Sequence, residues 1–190
     1  MTNLLEVDWS QIPAPADDGA ASHLCGMQLP SVTLPATDGR QVHLSALRGL
    51  TVIYAYPMTG RPDTPLPQGW DMVPGARGCT PQSCAFRDHF AQLRERGVNE
   101  VFGLSTQSTD YQREAAARLH LPFALLSDAR LQLADALQLP TFETAGLHLL
   151  KRLTLIAQDA KIVKVFYPVF PPDGNAGDVM AWLASRRQDA

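Results

Sequence analysis

The chain lacks most features that announce a function. It has three cysteines in 190 residues, too few for a secreted domain built on disulfides. No apolar run approaches the ~20 residues that a membrane-spanning helix needs. Charged residues make up only 18% of the chain, the net charge is −3, and no basic face is announced, so neither nucleic acid nor a membrane is an expected partner. With 13 glycines and 15 prolines, it is neither collagenous nor disordered by composition. No internal repeat and no glycine-rich phosphate loop occurs. The first basic residue is Arg40, so the positively charged start of a secretory signal is missing. The expected compartment is therefore the reducing cytoplasm. Cysteines there serve as buried spectators, metal ligands or redox catalysts.

What is present reads as one domain with an arm. Residues 1–25 hold Glu6, Asp8, Asp17 and Asp18 and no Lys or Arg, and the stretch PAPADDGAAS has linker composition. Residues 26–190 are expected to form a single α/β domain with a central mixed β-sheet flanked by helices. SVTL, DGR and QVHL read as strand, turn and strand, with Asp38-Gly39 at the turn. LTVIYAY (50–56) is a continuous β-branched and aromatic run, expected of a strand buried on both faces. A helix is expected over 80–96, ended by Gly97. A second buried strand follows at 98–106, then a helix at 108–120 and a short strand FALLS. A further helix is capped by Ser127-Asp128 and runs to Leu137. A hairpin spans 152–168, turning at 158–160. The closing helix, 175–188, carries Val179, Trp182 and Leu183 on one face.

Residues 57–78 break this pattern. They hold five prolines and four glycines and separate the first buried strand from its helix. Connections this long are functional or mobile segments.

The cysteines fall where chemistry is easiest to support. Pro81 suits the first turn of a helix, which puts Cys79 at the helix N-terminus. Free N–H groups and the helix dipole there favour an anion and hence a thiolate. Cys79, Phe86, Phe90 and Leu93 share one stripe at 100° per residue, so that stripe faces the sheet. Cys84 lies five residues on, roughly 8–9 Å away between Cα atoms in an intact helix. A disulfide tolerates about 7 Å at most, so a bridge between the two requires the first turn and a half to unwind. Zinc ligation by this Cys-x4-Cys pair finds no second pair at finger-like spacing, and the histidines at 23, 43, 89, 120 and 148 have no metal-ligand spacing. No thioredoxin-type Cys-x-x-Cys is present. A buried spectator and a redox-active thiol both remain open on the residues alone.

The segment GCTPQSCAFRD resembles the peroxidatic helix of the peroxiredoxins, in the Q-type or bacterioferritin-comigratory branch. The likeness extends to LPSVTLPATDGRQVHLSALRG, VIYAYP, VFGLST, LPFALLSD and RLTLIAQDAKIVKVF, and runs from about Gly26 to Leu183. It implies a thioredoxin-like fold and a thiol-dependent peroxidase acting on hydrogen peroxide or organic hydroperoxides. Cys79 takes the peroxidatic role and Cys84 the resolving role, closing an intramolecular disulfide that a thioredoxin-like donor reduces. Arg152 would stabilise the thiolate and bind the peroxide, and Pro57 would shield the site. No cofactor or metal is implied, and the expected assembly is a monomer or homodimer. An alternative with the same cysteine pair is a peroxide sensor or redox-gated binding protein, told apart by steady-state consumption of peroxide.

One departure stands out. The family spacing Pro-x-x-x-Thr-x-x-Cys puts a threonine hydroxyl three residues before the cysteine. Here Pro57 and Cys79 are separated by 22 positions rather than seven, and Ala76 stands where the threonine belongs. Thr59 or Thr64 on the inserted segment would have to supply the hydroxyl, with Thr59 favoured by its closeness to Pro57. Otherwise the segment builds a different pocket wall, using Trp70. Cys25 matches no motif.

Overall fold

The computed structural model describes residues 7–186. After the arm, a short antiparallel hairpin pairs β1 (Thr33–Pro35) with β2 (Gln41–His43), turning at Asp38-Gly39. Strand β3 (Leu50–Ala55) follows, and every residue in it is buried. Beyond the 57–78 segment come helices α1 (Cys79–Asp88) and α2 (Phe90–Glu95). The alternation continues through β4 (Val98–Ser105), α3 (Thr109–Arg118), β5 (Leu125–Ser127) and α4 (Gln132–Leu137). A hairpin of β6 (Thr141–Thr144) and β7 (Leu147–Leu150) leads into β8 (Leu153–Gln158), β9 (Lys161–Phe166) and α5 (Asn175–Arg186).

The main sheet has the order β5-β4-β3-β8-β9. Its β3, β4 and β5 run parallel, while β8 and β9 are antiparallel. This mixed sheet flanked by helices is a thioredoxin-like α/β fold. Alternate residues of β3 feed two cores, as a period of two requires. Ile53 and Ala55 join Phe102, Leu104 and Leu155 on one face. Val52 and Tyr54 join Val101, Phe86, Leu93 and Val179 on the other. Central position, not propensity alone, explains why β3 carries no alternation.

Gly103 in β4 has a packing reason. A Cβ there would stand 2.5 Å from Leu125 and 2.8 Å from the Tyr54 ring, so the glycine leaves room for both side chains. Tyr54 then stacks on Phe86 of α1, with centroids 4.4 Å apart, and its hydroxyl donates to Ser83 Oγ at 3.1 Å. The helix that carries Cys79 is thereby fixed against β3, which ends two residues before Pro57.

Two helices differ from expectation. The single helix over 80–96 breaks at His89, whose backbone stands at φ −96° and ψ 2° and whose Nδ1 and N–H both meet the Ala85 carbonyl, at 2.8 and 3.1 Å. The apolar stripe survives the break: Cys79, Phe86 and Leu93 are buried together, with Phe90 packed on them. The helix expected to start at Ser127-Asp128 begins only at Gln132. Asp128 still caps it, accepting from the N–H groups of Leu133 and Ala134 at 3.1 and 2.9 Å, with Leu131 in the left-handed region at φ 56°.

Two further pieces frame the site. Trp70 packs on Ala76, Leu149, Met58, Val73 and Phe142, so the β6–β7 hairpin holds the inserted segment in place. The arm lies along the domain. Trp9 donates to Asp173 at 2.9 Å and meets Phe170 edge-on, and Leu24 is fully buried. Asp18 accepts from Lys151 at 2.6 Å and from the Tyr167 hydroxyl at 2.7 Å. Those two bonds hold its carboxyl well below the usual range.

Candidate active site

Gly78 opens helix α1 with φ +103° and no side-chain cap. A Cβ on it would press within 2.6 Å of Pro172 and 2.7 Å of Trp9. Both the backbone conformation and the close approach demand glycine. Cys79 is the next residue and is 4% exposed. Its sulfur lies 3.5 Å from the Ala76 carbonyl.

Arg152, the residue just before β8, reaches the same point from the sheet. Its Nη2 donates to Cys79 Sγ at 3.2 Å. The same nitrogen meets the carbonyls of Gly75, Ala76 and Arg77 at 3.1 to 3.2 Å. The turn before the helix is therefore wrapped around the guanidinium, which fixes its distance to the sulfur. A cation held this way complements negative charge on the sulfur or on an oxygen bound beside it.

A buried polar chain holds the other side of Arg152. Its Nη1 donates to Gln82 Oε1. The amide of Gln82 donates to Asn175 Oδ1 at 3.0 Å, and Thr154 Oγ1 donates to that same oxygen at 2.6 Å. Sequence reading missed Gln82, Asn175 and Thr154. The available signal for Gln82 was its place three residues after Cys79, on the same helix face. Asn175 read only as a helix start. Replacing Gln82 with leucine leaves a buried guanidinium N–H and Asn175 short of partners. The expected cost is about 1–3 kcal/mol of stability, readable as a lowered urea midpoint with unchanged m-value.

The structure gives the other candidate residues these places. Pro57 is buried two residues beyond the end of β3. Cys84 is buried one and a half turns into α1. Burial pushes its thiol up, with Arg87 pulling the other way. Thr59 is buried, and both its N–H and its hydroxyl donate to Gln107 Oε1, at 3.0 and 3.2 Å. Thr64 is exposed beside Asp63. Ala76 packs on Trp70 and Leu149. Cys25 is exposed, its sulfur 3.7 Å from the Val163 carbonyl. All three cysteines are free thiols. Among the described residues no cluster of His, Cys, Asp or Glu could hold a metal ion, and no helix is long and apolar enough to cross a membrane.

A cavity of about 240 Å³ meets Cys79. Among the described residues Thr80 is the one hydroxyl side chain on it, and Asp71 and Arg77, also on it, pair with each other at 2.6 Å.

A family model described as Redoxin matches residues 24–180. The chain belongs to the redoxin family. Its relatives lie in the peroxiredoxin Q and bacterioferritin-comigratory branch. This redoxin is 31% identical over 164 residues to the chloroplastic peroxiredoxin Q of Oryza sativa subsp. japonica, an alignment covering 84% of this chain and 66% of the rice protein. The solved structure of peroxidoxin BcpB from Mycobacterium tuberculosis matches with a TM-score of 0.68 and 25% identity, over 85% of this chain and 96% of that one. The bacterioferritin comigratory protein of Xanthomonas campestris shares the fold at a TM-score of 0.68 and 22% identity, over 85% and 98%. The redoxin is thus an enzyme of the peroxiredoxin type, and the family's chemistry is that of a thiol peroxidase.

Proposed function

We propose that this redoxin reduces peroxides through Cys79, that Cys84 resolves the oxidised sulfur to an intramolecular disulfide, and that a thioredoxin-like dithiol donor restores both thiols. The observation that carries this reading is the guanidinium of Arg152, 3.2 Å from a cysteine sulfur at a helix N-terminus. That cysteine also lines a cavity able to admit a small molecule.

The thiolate of Cys79 attacks the terminal oxygen of the peroxide. The S–O bond forms as the O–O bond breaks, and the departing oxygen leaves as an alkoxide or hydroxide that takes up a proton. Sulfur has then lost two electrons and stands as a sulfenic acid. Arg152 stabilises the charge that develops on the breaking bond. The thiolate of Cys84 next attacks the sulfenic sulfur, expelling hydroxide, which leaves as water. Reduction by the donor proceeds through a mixed disulfide. The sulfur is both nucleophile and electron source, so this balance closes without a metal or flavin.

The second step requires motion. Both cysteines sit in α1, and about 7 Å between Cα atoms is the limit for a bridge. The first turn and a half must open, releasing Gln82 from Arg152. A Cys84→Ser variant is expected to accumulate Cys79 sulfenic acid after one equivalent of peroxide, trapped by dimedone. Its donor-linked turnover should fall roughly tenfold or more. Full turnover by this variant would remove Cys84 from the cycle.

The pH dependence follows from the raised Cys84 thiol. Its attacking form is the thiolate, which is scarce below an ordinary thiol value of about 8.5 and scarcer when that value is raised. Disulfide formation after a single-turnover pulse is therefore expected to keep accelerating past pH 8.5. A plateau near pH 7 would contradict it.

A further inference from the structure

The cavity at Cys79 is larger than hydrogen peroxide needs. Water occupies about 30 Å³ in the liquid, and the cavity measures about 240 Å³. Its walls are mostly apolar and come from parts of the chain that are additions to the basic βα unit. Met58, Leu66 and Trp70 belong to the 57–78 segment, and Val7 belongs to the arm. Among the described residues the charged groups on it are Asp71 and Arg77, which neutralise each other at 2.6 Å.

The wall is built rather than incidental. Trp70 is 4% exposed and is braced from behind by Leu149 and Phe142. The stem of the segment is tied to its surroundings: Thr59 bonds Gln107, Arg118 donates to the Gly60 carbonyl at 2.9 Å, and the Arg61 guanidinium lies 4.2 Å over the Tyr111 ring. Leu66 lies over Gly60, where even a Cβ would come within 3.1 Å of it. Leu66 is nevertheless 39% exposed, an apolar side chain left at the mouth.

We propose that the 57–78 segment is the specificity-determining wall of this enzyme, selecting uncharged organic hydroperoxides that carry a bulky apolar substituent. The inference rests on the thiol-peroxidase reading of Cys79. The substituent lies against Trp70, Met58 and Leu66, and the terminal peroxide oxygen meets the Cys79 sulfur. Attack breaks the O–O bond, the sulfur becomes a sulfenic acid, and the organic fragment leaves as its alkoxide and is protonated to the alcohol. Apolar contacts with a substituent that water would otherwise surround supply the selectivity. Paired with each other, Asp71 and Arg77 leave no net charge among the described lining residues to recruit an ionic group.

The test compares second-order rates of Cys79 oxidation by cumene hydroperoxide and by hydrogen peroxide, in single turnover so that no donor intervenes. The full chain is used, with Trp70→Ala and Leu66→Asn as variants. Leu66 is exposed enough that its replacement leaves the fold intact even where Trp70→Ala does not. The expected result is a cumene-to-hydrogen-peroxide ratio above one in the parent, reduced about tenfold in each folded variant. A ratio unchanged in the Leu66→Asn variant, with Cys79 still oxidised promptly, overturns the wall and leaves the peroxidase reading standing. A parent in which neither peroxide oxidises Cys79 overturns that reading itself.

Discussion

Replacing Cys79 with serine is expected to abolish peroxide reduction while the protein stays folded. The change is nearly isosteric at a position 4% exposed, and the serine hydroxyl keeps the Ala76 carbonyl as an acceptor. What disappears is the polarizable anionic sulfur that attacks the O–O bond and carries away two electrons. A hydroxyl cannot take either part. Removal of a nucleophile in other enzymes lowers rates by about 10⁴-fold or more, and a loss of that order is expected here. Steady-state peroxide consumption with a dithiol donor measures it, and far-ultraviolet circular dichroism checks the fold. Turnover within tenfold of the parent would move the chemistry to another thiol, Cys84 or Cys25.

The second large effect is expected at Arg152. Arg152→Met keeps an apolar stem of similar length and removes every donor. The sulfur loses its 3.2 Å partner, and the carbonyls of Gly75, Ala76 and Arg77 lose theirs. Removing one donor aimed at developing negative charge costs other enzymes about 10² to 10³ in rate. A drop of that size is expected in the second-order oxidation of Cys79. Arg152→Lys should recover little, because an ammonium lacks the planar fork that spans the sulfur, the turn and Gln82 at once. The turn before the helix should also loosen, at about 1.5–3 kcal/mol for the bonds to a charged group. An oxidation rate for Arg152→Met within threefold of the parent would show that the guanidinium only braces the turn.

The parts legible in the sequence are those that local chemistry dictates. Pro81 marks the helix start, and the stripe of Cys79, Phe86 and Leu93 faces the core as its phase requires. The continuous apolar run of β3 and the Asp38-Gly39 hairpin also follow directly from residue types. The β6–β7 hairpin left almost no signal. Its turn is Ala145-Gly146, with alanine at φ 49°, a residue that seldom marks a left-handed turn. The break at His89 comes where its backbone leaves the helical region, at φ −96° and ψ 2°, and its ring nitrogen sits on the Ala85 carbonyl, neither of which helical periodicity registers.

The site was half legible. Cys79 and Arg152 lie 73 positions apart in sequence, yet they touch, and only the family likeness linked them beforehand. The Gln82–Asn175–Thr154 chain joins α1, α5 and β8. Such a network depends on tertiary placement, which no local pattern encodes. Thr59 shows the same limit from the other side. Closeness to Pro57 in sequence recommends it for the peroxide, and in the fold its hydroxyl bonds Gln107. The inserted segment reads as an irregular loop, but Trp70 gives it a core of its own against the β6–β7 hairpin.

The most direct test of the central claim is intact mass after thiol alkylation, before and after one equivalent of hydrogen peroxide, with peptide mapping of any new bond. The expected result is a fall from the three free thiols to Cys25 alone, with Cys79 joined to Cys84. Three thiols still alkylated after peroxide would contradict it, because Cys79 would then hold its place beside Arg152 without performing the chemistry.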